Sequence, residues 1–224
     1  MDGKKGKDLM LEELKKEVLR VSRLAEETGL CHHGGGNFSQ IDRARGLVVI
    51  TPHAESRYDF HAEDMLVVDL EGNIVENKKN FTPSSEMPMH LLIYKERPDA
   101  EAVCHTHAHN AAAFACLGVP VKPVIFESMM YGGYCKVMPF EEPGSMELGW
   151  SAVEGLKGTY AAILGKHGLI SIGETIYDAY LKTVYVEDVC DVNIRAASVV
   201  GYENLDCLTD EQIVYFRDVL GLKA

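Results

Sequence analysis

The segment Cys104-His105-Thr106-His107 places two histidines one residue apart, at the end of a short apolar run that begins at Ala102. Residues two apart in a strand project to the same face, so the two imidazoles would lie side by side. Paired imidazoles are suitable ligands for zinc or a similar divalent ion. The pattern indicates a metal site, although two such histidines can also be ordinary polar residues at a strand end.

A catalytic zinc ion generally has three protein ligands and one open position. His109 and His167 are the candidates for the third ligand. His109 continues the alternation, but an alanine-rich helix is expected to begin there. His167 lies between two apolar runs, where an imidazole needs a partner, either a metal or a backbone group. The residue pattern alone leaves both candidates open.

A second group of polar residues lies where backbone amides can be free. Glu86 follows Ser84-Ser85 and opens a predicted helix, where a carboxylate is favourable near the positive helix end. Hydroxyl groups and free N–H groups at such a helix start can bind an anion. The loop Gly34-Gly35-Gly36-Asn37 could likewise bring its amides to an oxyanion. His90, four residues after Glu86, is predicted to be a solvated or capping histidine.

The elements that position these groups follow from hydrophobic periodicity and from Gly and Pro positions. Residues 32–39 are predicted to be a loop. Helices are predicted over residues 8–29, 86–97, 110–116, 146–157, 175–200 and 210–220, and strands over 46–51, 65–70, 74–75, 102–106, 121–126, 136–138, 161–164 and 169–172. Because these elements lack a regular βαβ rhythm, they predict a mixed α+β form of α/β fold, with a central, mainly antiparallel sheet flanked by helices. One domain is expected over residues 1–224, with residues 1–7 disordered.

Composition narrows the class of protein. The 224 residues carry a net charge of -12, which argues against a nucleic-acid or anionic-membrane partner. No apolar stretch is long enough to span a bilayer, and the charged N-terminus does not resemble a signal peptide. Six scattered cysteines without a CxxC pair are typical of reduced thiols. A cytoplasmic protein is expected.

Taken in order, several motifs resemble the class II aldolase/adducin family, and within it the L-fuculose-1-phosphate aldolases most closely. The matching motifs are Gly-Gly-Asn37-Phe-Ser39, Ile50-Thr51-Pro52, Pro83-Ser84-Ser85-Glu86, Arg97-Pro98-Asp99-Ala100, His105-Thr-His107, Gly132-Gly133, Pro143-Gly144-Ser145-Met146-Glu147-Leu148 and His167-Gly168-Leu169. The resemblance implies a single α/β domain around a mainly antiparallel sheet. It also implies a homotetramer with fourfold symmetry and active sites at subunit interfaces.

The same resemblance implies a role for each site residue. His105, His107 and His167, rather than His109, would hold one Zn²⁺ or another divalent metal per subunit. Glu86 would be the catalytic acid/base, and a fourth ligand when no substrate is bound. Asn37, Ser84, Ser85 and the amide of Gly36 would bind the substrate's phosphate. The implied reaction is the reversible cleavage of a ketose 1-phosphate to dihydroxyacetone phosphate and an aldehyde, through a zinc-stabilised enediolate.

Two positions depart from the family's pattern. His53 stands after Thr51-Pro52, where related aldolases have a small residue that completes the phosphate pocket. His53 is therefore predicted either to donate to the phosphate or to indicate a substrate with a different tail. Phe126 aligns with a tyrosine that handles the aldehyde fragment, and Tyr131, or else Tyr134, is predicted to replace it as proton donor.

Other activities of the family remain open as alternatives. Glu86 favours an aldolase, because the pentulose-phosphate 4-epimerases of the family usually carry aspartate at this position. The alternatives are such an epimerase or another sugar-phosphate lyase, dehydratase or decarboxylase. A non-catalytic, adducin-like binding domain is a remote alternative, because all three histidines and the glutamate are present.

Overall fold

The computed structural model describes residues 2–53 and 56–222, with the side chains of its first helix described from Leu11 onward. Within this part of the chain the helices are α1 (Asp2–Glu27), α2 (Met87–Glu96), α3 (His109–Leu117), α4 (Met146–Gly155), α5 (Ile176–Val200) and α6 (Asp210–Val219). The strands are β1 (Asn37–Asp42), β2 (Leu47–Ile50), β3 (Leu66–Asp69), β4 (Ile74–Glu76), β5 (Ala102–Thr106), β6 (Lys136–Met138), β7 (Ala161–Leu164) and β8 (Gly168–Gly173). Short 3-10 helices cover Ala62–Asp64, Phe126–Tyr131 and Tyr202–Asn204.

The eight strands form one sheet in the order β4-β3-β2-β1-β5-β8-β7-β6. Every neighbouring pair is antiparallel except β6 and β7, which are parallel. The predicted mainly antiparallel sheet is therefore confirmed.

Helices cover both faces of the sheet, because successive strand residues point to opposite faces. On β5, Cys104 packs into a core that includes residues of α1, α3 and α5, such as Val18, Phe114 and Val186. Its neighbour Val103 packs into a second core with residues of α2 and α4, such as Ile93. The central strands are thus buried on both sides, which fixes their register firmly.

Two helix starts near the sheet are capped in different ways. The Thr175 hydroxyl accepts a hydrogen bond from Asp178 N at 3.1 Å and caps α5. Helix α3 has no side-chain cap of its own at Ala108. Instead, the carboxylate of Glu187 in α5 accepts from Asn110 N at 2.8 Å and from Ala111 N at 2.9 Å. This cap fixes the backbone that directly follows His107.

Two predicted elements were wrong. Residues 37–39, predicted as loop because of their glycine-rich surroundings, belong to strand β1, where pairing with β2 and β5 overrides local preference. The strand predicted over residues 121–126 is replaced by a single bridge between Val121 and Cys135 and by the start of a 3-10 helix at Phe126.

The N-terminal segment differs from its predicted start. Helix α1 begins at Asp2 rather than near residue 8. Disorder was predicted for residues 1–7. Met1 and the side chains of residues 2–7 lie outside the described part of the chain, so this disorder stays a prediction. Among the described helices, none is both long and apolar enough to cross a membrane.

Candidate metal centre and active site

Three elements meet at one end of the central strands. Strand β5 runs antiparallel to β8, so the C-terminal end of β5 lies beside the N-terminal end of β8. His105 and His107 therefore lie near His167, which immediately precedes β8. Glu86 is the N-cap of α2 and brings a carboxylate to the same point. Chain topology thus joins residues that are far apart in sequence.

The three imidazoles form a tight cluster. One ligand nitrogen from each of His105, His107 and His167 lies within 4.8 Å of the others. The Nε2 atoms of His105 and His107 are 3.1 Å apart. His109 lies outside this cluster, at the start of α3, where its ring stacks on His32 at 4.3 Å between centroids. Of the two candidates for the third position, the structure places His167 beside the pair.

Backbone contacts fix the orientation of His105. Its Nδ1 donates to the carbonyl oxygen of Leu169 at 3.0 Å, so its Nε2 presents a lone pair to the cluster. Gly168 permits this contact, because a Cβ there would lie 2.4 Å from Thr106 O and 2.8 Å from His107 Cδ2. A larger residue at position 168 would push β8 away from the histidines.

Glu86 lies between two of the imidazoles and is almost fully buried. Its Oε2 is 3.1 Å from His105 Nε2, and its Oε1 is 3.1 Å from His167 Nε2. Asn37 Nδ2 donates to Oε2 at 2.7 Å. Burial by itself would raise the pKa of Glu86, but the charges and hydrogen bonds of His105 and His167 outweigh it and lower the pKa. The carboxylate is therefore held in its ionised form.

These four side chains fit a divalent metal ion. With its Nδ1 donating to Leu169, His105 turns an Nε2 lone pair towards both His107 Nε2 and Glu86 Oε2. A lone pair and a carboxylate that face each other at 3.1 Å repel unless a positive charge lies between them. A proton on His105 supplies that charge in the metal-free protein, and a divalent cation would satisfy the imidazoles and the carboxylate at once. Burial and the nearby His105 and His167 lower the pKa of His107 to about 4, which keeps it in the neutral, metal-binding form.

The residues predicted to bind phosphate lie around the same site. Gly36 has φ +79, and a Cβ there would lie 2.4 Å from His105 O, so only glycine fits against β5. Ser84 is buried and accepts from Glu86 N at 3.3 Å, whereas Ser85 is exposed. His53 is exposed, and its backbone N donates to Thr82 O at 2.9 Å, which places it near the start of α2.

Arg57 is a buried residue that the sequence analysis missed. Its Nη2 donates to the carbonyls of Gly34, Gly35 and Gly36 at 3.1, 3.0 and 2.5 Å, and its Nη1 pairs with Glu26 at 2.8 Å. Since a carbonyl and the following N–H point in opposite directions, the amide of Gly36 faces away from Arg57. No local pattern around position 57 indicates this role, because its partners are backbone atoms 21 to 23 residues away.

The Asn37 side chain is hydrogen-bonded to Glu86, and the His90 ring is hydrogen-bonded to Asn37. Both ends of the Asn37 amide are engaged: Nδ2 with Glu86, and Oδ1 with His90 Nε2 at 2.5 Å. His90 is fully buried, so the prediction of a solvated or capping histidine was wrong. The helix face that carries Glu86 and His90 packs on β1, and the i, i+4 spacing was the signal that could have shown it.

The two tyrosines proposed for the aldehyde side differ in exposure. Tyr131 is fully buried in the core, and burial, with Cys135 and Cys190 nearby, raises its pKa well above the usual value. A hydroxyl without exposed surface has no face for an aldehyde, so the structure does not support Tyr131 as proton donor. Tyr134 is 40% exposed.

Comparison with known proteins identifies the family of the chain. The family model for the class II aldolase and adducin N-terminal domain matches residues 16–194. A 5-deoxy-D-ribulose 1-phosphate aldolase of Bacillus thuringiensis serovar kurstaki is 30% identical over 191 residues, which cover 85% of this chain and 89% of that protein. An L-fuculose phosphate aldolase of Methanococcus maripaludis is 33% identical over 177 residues, covering 79% and 94%.

A solved structure shares the whole architecture. The structure of an L-fuculose 1-phosphate aldolase superposes with a TM-score of 0.88 at 28% identity, covering 94% of this chain and 97% of that one. The segment that the family model matches, residues 16–194, includes all three clustered histidines and Glu86. The chain therefore belongs to the class II aldolase and adducin family, and it is an aldolase of the lyase class.

Proposed function

We propose that this aldolase reversibly cleaves a ketose 1-phosphate, of the L-fuculose 1-phosphate type, to dihydroxyacetone phosphate and an aldehyde. The observation that carries the proposal is the Glu86 carboxylate set among three imidazoles at a buried strand end. Relatives named for L-fuculose phosphate and for 5-deoxyribulose 1-phosphate support a sugar 1-phosphate as the substrate class.

His105, His107 and His167 would hold one Zn²⁺ per subunit, and Glu86 would add a carboxylate ligand when no substrate is bound. Three neutral imidazoles and one carboxylate form a donor set typical of zinc. A metal ion held there would supply Lewis-acid stabilisation of negative charge on the substrate's oxygens.

Glu86 would transfer the proton in the reaction. In the cleavage direction it would return a proton to the carbon that has lost the aldehyde fragment, and in the synthetic direction it would remove that proton. The positive charge beside Glu86 favours its ionised form, which is the form that a base must have. The hydrogen bond from Asn37 restricts where the carboxylate can move.

The phosphate would bind to the amide of Gly36 and to Asn37, Ser84, Ser85 and His53. The Gly36 amide faces away from Arg57, and both Ser85 and His53 are exposed, which supports this assignment. Such amide and hydroxyl donors recognise phosphate without requiring a net positive charge on the protein.

We also propose a cytoplasmic homotetramer with active sites at its subunit interfaces. Large apolar side chains that remain exposed, such as Phe140, Met146 and Trp150, support an interface. The cysteines of the described residues are free, in agreement with a reducing compartment. The mass of the native protein in solution tests the assembly.

A coupled assay for dihydroxyacetone phosphate, run over a panel of ketose 1-phosphates with and without chelator, tests the activity. Release of the product from at least one ketose, abolished by chelator and restored by Zn²⁺, is the expected result. If no ketose in the panel yields dihydroxyacetone phosphate, the proposal is wrong. Conversion to an isomer with an unchanged carbon count would instead identify an epimerase.

A further inference from the structure

A buried chain of hydrogen bonds leads from the protein core to Glu86. His90 and Tyr94 lie on α2, one and two turns beyond Glu86, and Ser39 lies on β1, two residues after Asn37. The Tyr94 hydroxyl is 2.8 Å from Ser39 Oγ, which is 2.6 Å from His90 Nδ1. His90 Nε2 is 2.5 Å from Asn37 Oδ1, and Asn37 Nδ2 is 2.7 Å from Glu86 Oε2.

The acceptor at the end of this chain sets the direction of every bond. A carboxylate only accepts, so Asn37 must turn its NH₂ group to Glu86 and its carbonyl oxygen to His90. That oxygen also only accepts, so His90 Nε2 carries a proton. In a neutral imidazole Nδ1 is then a lone pair, and the Ser39 hydroxyl donates to it. The Ser39 oxygen in turn accepts from Tyr94.

We propose that His90 is a positioning residue for the reaction: its Nε2–H holds the Asn37 amide in the orientation that donates to Glu86. His90 is fully buried, and its two ring nitrogens have Ser39 and Asn37 as partners, so the ring has one satisfied tautomer. This inference rests on the proposed role of Glu86 in proton transfer.

Loss of the donor would free the Asn37 amide to rotate. The Asn37 oxygen could then face the carboxylate, or the amide could move away. In either case Glu86 would lose the hydrogen bond from Asn37, which is the only side-chain amide that donates to it among the described residues. Chemistry at Glu86 would slow more than substrate binding would weaken. Of the groups proposed to bind the phosphate, only Asn37 is affected, whereas the Gly36 amide, Ser84, Ser85 and His53 are untouched. The ketose's KM would therefore change less than kcat.

Two amide variants separate this role from a general contribution to packing. In His90→Gln the side-chain NH₂ lies near the former Nε2 and can still donate to Asn37. In His90→Asn the amide ends near the former Nδ1 and can reach Ser39 only. Both variants bury an amide in place of the ring and remove ring volume, so each serves as the other's control.

The assay follows the exchange of one carbon-bound hydrogen of dihydroxyacetone phosphate in D₂O, together with kcat and KM for ketose cleavage and the metal content. We expect His90→Asn to lower the exchange rate and kcat by about 10- to 100-fold, at unchanged metal content, and His90→Gln to stay within about threefold of wild type. If both variants lose the same factor, or if neither slows, the inference is wrong. If wild type itself shows no exchange, the proposed function fails instead.

A measurement on the wild-type protein decides the matter if the variants do not fold. Ring-nitrogen NMR of protein labelled with ¹⁵N-histidine distinguishes the two neutral tautomers from the cation. His90 is expected as the neutral Nε2–H form. A cationic ring, or a proton on Nδ1, would overturn the assigned direction and the proposal with it.

Discussion

The site has a metal side, formed by His105, His107, His167 and Glu86, and a loop side, formed by Gly34–Gly36, Ser84, Ser85 and His53. The two sides are held in different ways. On the metal side, strand register and the Leu169 carbonyl fix His105, and a buried hydrogen-bond chain ends on Glu86. On the loop side, backbone conformation and Arg57 behind the loop fix the amides, while Ser85 and His53 remain exposed.

This difference indicates which part of the reaction each side controls. Closely held groups suit the chemical step, because small displacements there slow chemistry strongly. Exposed groups can vary with the substrate at little cost to the fold. Changes on the metal side should therefore lower kcat, and changes on the loop side should mainly raise KM.

The largest effect is expected from His167→Ala. It removes one of three imidazoles and should cost most of the bound metal, with a loss of cleavage rate of about 10³-fold, since a metal contributes several kcal/mol to the barrier. Elemental analysis and the coupled assay measure both quantities. His109→Ala is the control and should keep its metal; full metal content in His167→Ala would contradict the ligand assignment.

Gly36→Ala tests the contact between the two sides. Its Cβ would meet His105 O at 2.4 Å, whereas a Cβ at Gly46, which has a similar φ of +65, meets nothing within 4 Å. Both variants bear the cost of a left-handed backbone, so the difference in free energy of unfolding isolates the collision. We expect Gly36→Ala to be less stable than Gly46→Ala by about 1–3 kcal/mol in denaturant unfolding. Equal stabilities would mean that a Cβ at position 36 does not collide with the backbone of β5.

Arg57→Lys tests how the loop is held. Lysine keeps the charge but has one donor nitrogen, where arginine uses Nη1 for Glu26 and Nη2 for the three carbonyls. The expected result is an increase of about tenfold in KM for the ketose phosphate with kcat nearly unchanged, equivalent to one charge-assisted hydrogen bond. A fall in kcat at constant KM would show that Arg57 acts on the metal side instead.

His53→Ala should have the smallest effect. The side chain is exposed, so a single bond from it to phosphate would change KM by roughly threefold at low salt and less at high salt. Steady-state kinetics at two ionic strengths measure this change. An unchanged KM at both would remove His53 from the phosphate site.

Much of the fold could be predicted from sequence, because apolar periodicity marks the helices and the buried strands. The start of α2 next to Glu86 and strand β5, which contains His105, followed from local patterns. Strand β1 did not, since its polar residues Asn37 and Ser39 have their partners on α2 and β5, far away in the sequence. Long-range pairing of this kind leaves no local signal.

The site residues also divide into those that local patterns predict and those that depend on long-range contacts. The pair His105 and His107 was visible from spacing alone, but the choice of His167 depended on the family resemblance. Arg57 binds backbone carbonyls, which no sequence pattern encodes. The burial of His90 was predictable in principle, because residues 86, 90 and 94 share one helix face and residues 37 and 39 share one strand face.

The most direct test of the central claim is hydrogen exchange on dihydroxyacetone phosphate in D₂O, without aldehyde, in wild type and in Glu86→Gln at matched metal content. Wild type should exchange one carbon-bound hydrogen stereospecifically. Glu86→Gln, which keeps the shape but not the base, should slow this exchange by about 10²- to 10⁴-fold. Equal exchange by the two proteins would contradict the assignment of Glu86 as the group that moves the proton.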